Sequence, residues 1–167
     1  PTEIPHFTEE IAELLLEDCS SGFDWSRISP TIFGAVFEST LNPETRKSEA
    51  MHYTSLENIH KVIDPLFLDD LKNELDQIKK INAKKTRNHK LSEFQEKLAN
   101  LKFLDPACGS GNFLTETYLS LRRLENEMIA IYYDGYPLFN LGDPIKVSIE
   151  NFYGIEINDF AVSVAAT

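Results

Sequence analysis

Apolar residues recur at helical spacing through much of the first hundred positions, and after Lys102 that texture changes. In TEEIAELLLED, Ile11, Leu14 and Leu15 share one face, which predicts an amphipathic helix over residues 8–18. Ser20, Ser21 and Gly22 break it. SPTIFGAVFESTL restarts the pattern over 29–41, with Ser29 as cap, Pro30 in the first turn and Phe33, Val36 and Phe37 on one face. LNPETRKSEA, around Pro43, is polar and reads as a loop. A capping box from Thr54 to Glu57 opens the next helix, and Ile59, Val62, Ile63 and Leu66 continue it. Pro65 predicts the start of a new helical segment. Residues 68–80 and 91–100 read as helices on either side of a basic loop.

Beyond Lys102, KFLD is a short buried-strand candidate that runs straight into PACGSG. A long helix follows from Asn112, with Leu114, Tyr118, Leu121, Met128 and Ile131 on one side. DGYPLFNLGDP is turn-rich. FYGIEI reads as a second strand, and Asn158 and Asp159 as the start of another helix. Strand, glycine turn, helix, strand is a βαβ unit and predicts a parallel sheet. The fold class is therefore α/β. A helical N-terminal region spans 1–50, a second helical segment 51–100 and the βαβ unit 101–167. Such a two-stranded start leaves an open sheet edge, which invites dimerisation or aggregation of the chain.

Composition narrows the function classes. A hydrophobic content of 42% with 26% charged residues supports a packed core, and no apolar run is long enough to cross a bilayer. No membrane association is expected. The net charge of −11 argues against this segment being a main nucleic-acid surface. KKINAKKTRNHK is the local exception, a solvated loop between two helices or a phosphate contact formed by Lys79, Lys80, Lys84, Lys85, Arg87 and Lys90. Cys19 and Cys108 lie far apart, and His6, His52, His60 and His89 form no ligand pattern, so no metal is expected. The first residues form no signal peptide, and a reduced, cytoplasmic protein is the simpler expectation. The chain starts at Pro1 without a Met and stops inside FAVSVAAT, so it is expected to be a piece of a longer protein.

Candidate chemistry centres on FLDPACGSGNFL, residues 103–114. The turn after the first strand of a βαβ unit lies at the carboxyl edge of the sheet, where ligands bind. Gly109 and Gly111 would let backbone N–H groups reach a nucleoside, and Glu156, at the end of the next strand, could accept from ribose hydroxyls. The spacing is not that of a dinucleotide site. Leu114 stands where a third glycine would be, and Glu156 lies 51 positions after Asp105, against about 20 in the dinucleotide fingerprint. A triphosphate loop is excluded too, since no Gly-Lys-Ser/Thr is present.

LDPACGSGNFL closely resembles the first S-adenosylmethionine (SAM) motif of DNA adenine-N6 methyltransferases, and YGIEIND resembles their second. MHYTS resembles the tenth motif, which in one class of these enzymes precedes the first. Ser55 stands where that motif usually has a proline, and Ala50 lies near where a glycine is usual. Over about residues 30–167 the wording looks most like the methylase part of large fused restriction–methylation enzymes and related phage-defence methyltransferases. The resemblance implies a Rossmann-like SAM-dependent sheet preceded by helices. It implies a cofactor site formed by Tyr53, Thr54, Asp105, Ala107, Cys108, Gly109, Gly111, Asn112, Phe113, Glu156 and Ile157. In it the glycine turn wraps methionine and ribose, Glu156 takes the ribose hydroxyls, Ile157 packs on adenine and the Tyr53–Thr54 pair meets the methionine end.

These enzymes also use an Asp/Asn-Pro-Pro-aromatic motif that holds the flipped adenine against the methyl donor. No such motif occurs here, since LNPETR lacks the second proline and the aromatic and precedes the glycine turn. The resemblance thus implies most of a SAM site, a catalytic motif and DNA-reading region beyond Thr167, and no methyl transfer by this chain alone. Two other readings stay open: a methyltransferase acting on protein or RNA, and a helical binding module without chemistry. For single residues, Phe113 and Leu114 could be core, Tyr53 a packed aromatic and Glu156 a helix cap. Cys108 reads as a small apolar filler, with a nucleophile as the sharper alternative.

Overall fold

The computed structural model describes residues 6–22, 24, 54–134 and 144–166, the side chain of Phe160 excepted. The helix expected at 29–41, the loop around Pro43, Tyr53 and most of the turn-rich stretch after Asp134 lie outside the described residues. Helix α1 (Glu9–Glu13) is capped by Thr8, whose hydroxyl accepts from the Ile11 N–H at 3.3 Å. It continues as a π-helical stretch, Leu14–Ser21, to a cap at Gly22. Ile11, Leu14 and Leu15, the apolar positions of the expected amphipathic helix, are exposed.

Residues 56–79 form one uninterrupted helical rod: α2 (Leu56–Ile63), a π-helical turn (Asp64–Leu68) and α3 (Asp69–Lys79). Two expectations are corrected here. Ser55, not Thr54, is the N-cap, its hydroxyl accepting from the Asn58 N–H at 3.4 Å. Pro65 does not begin a new segment but sits inside the π-helical turn. Proline has no N–H to give the preceding turn, and a widened turn absorbs that loss without ending the rod. Helix α4 (Lys84–Asn100) also begins earlier than expected, leaving only 80–83 as turn. Its lysines and arginine are good helix formers, and no proline or glycine interrupts them.

Strand β1 (Phe103–Asp105), helix α5 (Asn112–Tyr132), a 3-10 turn (Ile149–Asn151), strand β2 (Phe152–Gly154) and helix α6 (Asp159–Ala165) complete the described chain. The strands pair in parallel, with Phe103 opposite Phe152, Leu104 opposite Tyr153 and Asp105 opposite Gly154. The βαβ expectation is met. Each strand has only three residues, a short template that gives little support to pairing of copies through the edge.

Long-range contacts give the helix directions. His60 meets Glu116 and Lys79 meets Glu127, in the same order, so the 56–79 rod and α5 run the same way. Lys84 meets Asp134 while Gln95 meets Glu125, so α4 runs against α5. The first of these contacts also places the basic end of α4 at the far end of α5. That is about 30 Å from the glycine turn at 1.5 Å per residue.

One core joins these helices. Ile59, Ile63, Leu68, Leu71, Leu75 and Ile78 of the rod pack with Leu91, Phe94 and Leu98 of α4 and with Leu121, Leu124, Met128 and Ile129 of α5. The sheet adds aromatic contacts on its inner face. Phe103 and Phe152 stack at 5.2 Å between ring centroids, and Tyr118 meets Phe152 edge-on at 5.5 Å. Leu104 and Tyr153, on the opposite face, are exposed.

The buried face of α5 differs from the apolar stripe expected. It includes Glu116, Thr117, Ser120 and Glu125, with Leu114, Tyr118 and Ile131 only half-buried. Glu125 is fully buried and bonds Arg122, Gln95 and the backbone N–H groups of Lys146 and Val147. It thereby fixes the chain that enters β2. Removing one partner from a buried ionic network leaves the other charge unpaired, so Glu125→Ala is expected to cost about 3 kcal/mol. Urea unfolding monitored by circular dichroism checks this, and a loss near zero would contradict the account.

Candidate functional site

The carboxyl ends of β1 and β2 and the turn 106–111 form the candidate site. Parallel pairing places Asp105 beside Gly154, and the turn extends the ladder: the Ile155 N–H donates to the Asp105 carbonyl at 2.9 Å, and the Cys108 N–H to the Ile155 carbonyl at 3.0 Å. The Asp105 side chain accepts from the Ala107 N–H at 3.0 Å, closing the start of the turn on itself. Gly109 and Gly111 both have positive φ, +54° and +82°, where a side chain is strained. Gly111 is also the N-cap of α5 and lies against Ala165 of α6. A Cβ at Gly109 would meet nothing within 4 Å, so this glycine opens onto free space.

Glu156 joins both halves. Its Oε2 accepts from the Gly109 N–H at 2.9 Å, while Oε1 accepts from the Ile157 N–H at 2.7 Å and the Asn158 N–H at 3.0 Å. The Asn158 N–H above all, with those of Ile157 and Gly109, holds this carboxyl below the usual glutamate range. Glu156 is therefore not the cap of α6. Asn158 has that role, its side chain accepting from the Ala161 N–H at 2.9 Å. Ile157, beside Glu156, is 93% exposed.

The remaining expected residues fall into place around this arrangement. Thr54 is half-buried just ahead of α2, and the shared direction of the rod and α5 brings it to the same end of the helix pair as the glycine turn. Asn112 begins α5, half-buried, and Ala107 is exposed. Phe113 packs against the core, in keeping with the core reading open to it. Cys108 is half-buried, and its thiol is pushed up first by burial and then by the charges of Asp105 and Glu156. A protonated thiol is a poor nucleophile, which leaves the filler role. Among the described residues, no cluster could hold a metal ion and no helix is long and apolar enough to cross a membrane.

Residues 80–167 match the family model for the MmeI DNA-methyltransferase domain. The chain belongs to that family. DNA methyltransferase A of Bacillus subtilis (strain 168) is 40% identical over 170 residues, which cover 95% of this chain and 18% of that protein. A protein of Methanocaldococcus jannaschii named as a type II restriction enzyme and methyltransferase is 25% identical over 87% of this chain and 14% of its own length. The adenine-specific methyltransferase PglX of Streptomyces coelicolor is 31% identical over 48% of this chain and 6% of that protein. Among solved structures, the Type IIL restriction–modification enzyme MmeI in complex with DNA aligns with a TM-score of 0.81 and 43% identity. That match covers 96% of this chain and 20% of the MmeI chain. The chain thus spans a fifth or less of the length of these relatives.

One functional glycine escaped sequence reasoning. A Cβ at Gly154 would stand 2.6 Å from the Cys108 sulfur and 3.1 Å from its Cβ, so the close approach of turn to strand needs glycine there. Its signal was a glycine inside a strand. Gly154→Ala is expected to lower stability by about 1–3 kcal/mol through overpacking. Adding Cys108→Ala should restore part of that loss in thermal unfolding, and no recovery would argue against the contact.

Proposed function

We propose that these residues bind S-adenosylmethionine as the opening βαβ unit of a Rossmann-like sheet. The protein they belong to would transfer its methyl group to adenine N6 of DNA, in restriction–modification or phage defence. The observation that carries the reading is the bond from the Gly109 N–H to Glu156, which sets an open glycine turn and an ionised carboxylate side by side at the sheet edge. The open space at Gly109 lets ligand atoms approach its backbone.

A carboxylate offers about four acceptor positions, and three are used by backbone N–H groups. One ribose hydroxyl can take the fourth, and the second must share with or displace the Gly109 N–H. Exposed Ile157 would cover the adenine, while Thr54, with Tyr53, would meet the methionine end. When bound, SAM supplies an electrophilic methyl group. The chain's own residues would bind and orient it.

Relatives named as DNA methyltransferases support DNA over protein or RNA as the acceptor, and the adenine-specific relative supports adenine. The catalytic Asp/Asn-Pro-Pro-aromatic motif is not among these 167 residues, so DNA recognition and transfer would belong to other parts of the protein. Incorporation of labelled methyl into DNA by this chain alone would contradict that division.

Calorimetric titration of SAM into the chain tests the site. Glu156→Ala is expected to weaken binding at least about tenfold. Gly109→Ala should weaken it comparably while costing only about 1 kcal/mol of stability, since its Cβ meets no protein atom. Binding left intact by both substitutions would place the cofactor elsewhere.

A further inference from the structure

Away from the glycine turn, one histidine ties together the two helices that reach the site. His60 lies on α2 six residues after Thr54, and Glu116 on α5 five residues after Gly111. At about 1.5 Å per residue, their contact stands roughly 9 Å and 8 Å along the helices from those two positions. Because the helices run the same way, Thr54 and the glycine turn lie on the same side of the contact. A small shift of one helix against the other there moves Thr54 relative to the turn.

The imidazole is held at both nitrogens by carboxylates. Nδ1 lies 2.8 Å from Asp64 Oδ1, and Nε2 lies 3.2 Å from Glu116 Oε1. Neutral histidine has a single N–H and can donate to one of them, whereas the imidazolium donates to both. Glu116 is a fixed anchor: its side chain is 4% exposed, and the same oxygen accepts from the Ser120 hydroxyl and the Arg123 guanidinium.

The wider surroundings favour the charged ring. Lys72 of α3 lies 3.7 Å from Asp64, and it lines a groove beside His60 with Asp76, Lys79, Arg123 and Glu127. With Asp64 and Glu116, these make four acids against three bases. The bond to Asp64 raises the histidine's proton affinity most, burial opposes it and the bond to Glu116 adds to it.

We propose that His60 is a positioning residue: doubly protonated, it locks α2 onto α5 and so sets where Thr54 stands against the glycine turn. This rests on the reading of that end of the helix pair as the cofactor site. Cofactor affinity then depends on pH. The folded-state pKa of His60 is raised, so the tie is fully present below the ordinary value near 6.5 and is lost as pH rises through the higher folded value.

The experiment has two readouts on the 167-residue chain. Proton NMR follows the His60 ring and amide exchange of residues 56–60 between mildly acidic and mildly alkaline pH, and calorimetry measures SAM affinity over the same range. His60 should titrate above the ordinary value, with amide protection in the first turns of α2, taken relative to the intrinsic pH dependence of exchange, and SAM affinity both falling across that titration. Glu116→Gln, which keeps shape but removes the charge, should flatten both profiles and lower the histidine's titration. His60→Gln, with no titrating ring, should show no inflection in either. If exchange shows no inflection, or if SAM binds with pH-independent affinity while Glu156→Ala still weakens binding, the positioning role is wrong and the cofactor site stands. If wild-type chain binds no SAM while exchange retains its inflection, the cofactor reading fails and takes the positioning role with it.

Discussion

Three backbone N–H groups converge on one carboxylate, and the architecture at the sheet edge depends on it. Glu156 takes N–H groups from Gly109, Ile157 and Asn158, so it binds the turn after β1, the end of β2 and the approach to α6 at one point. None of those donors has its partner within a helix or strand ladder. Without the carboxylate they would compete for water, and the turn would lose its bond to the second strand. The same atoms that organise the turn would also meet a ribose, so folding of the site and recognition by it share one group.

Around this edge the helices form a platform in which buried acids act as fixed joints. Glu125 fixes the chain entering β2, and Glu116 gathers His60, Ser120 and Arg123 on the face of α5 turned to the 56–79 rod. Apolar contacts among Ile59, Leu75, Phe94, Leu121 and Met128 hold the helices together but leave their axial positions loosely specified. A charged hydrogen bond is directional, so these acids give the helices register. The opposite sheet face, with Leu104 and Tyr153 exposed, has no such partner among the described residues.

Much of this was legible along the chain. The helical periods placed the rod and α5, and the change after Lys102 placed β1, because both follow from local backbone and burial patterns. Glycines at 109 and 111 announced positive φ, since few other residues adopt it. The start of α4 and the passage of the rod through Pro65 were not legible. Lysine-rich turns and lysine-rich helices have the same composition, and a proline ends a helix unless the neighbouring turn can widen.

The sequence by itself determined the βαβ order, the glycine turn and the acid that follows β2, because each is encoded within a few neighbouring residues. Only the tertiary structure decided that Glu156 binds the turn rather than capping α6. Tertiary packing likewise put Cys108 against Gly154, and brought His60 to Glu116 across 56 positions of chain. These contacts join residues distant in sequence. Their geometry follows from how helices and strands pack, and no local pattern of residues records it.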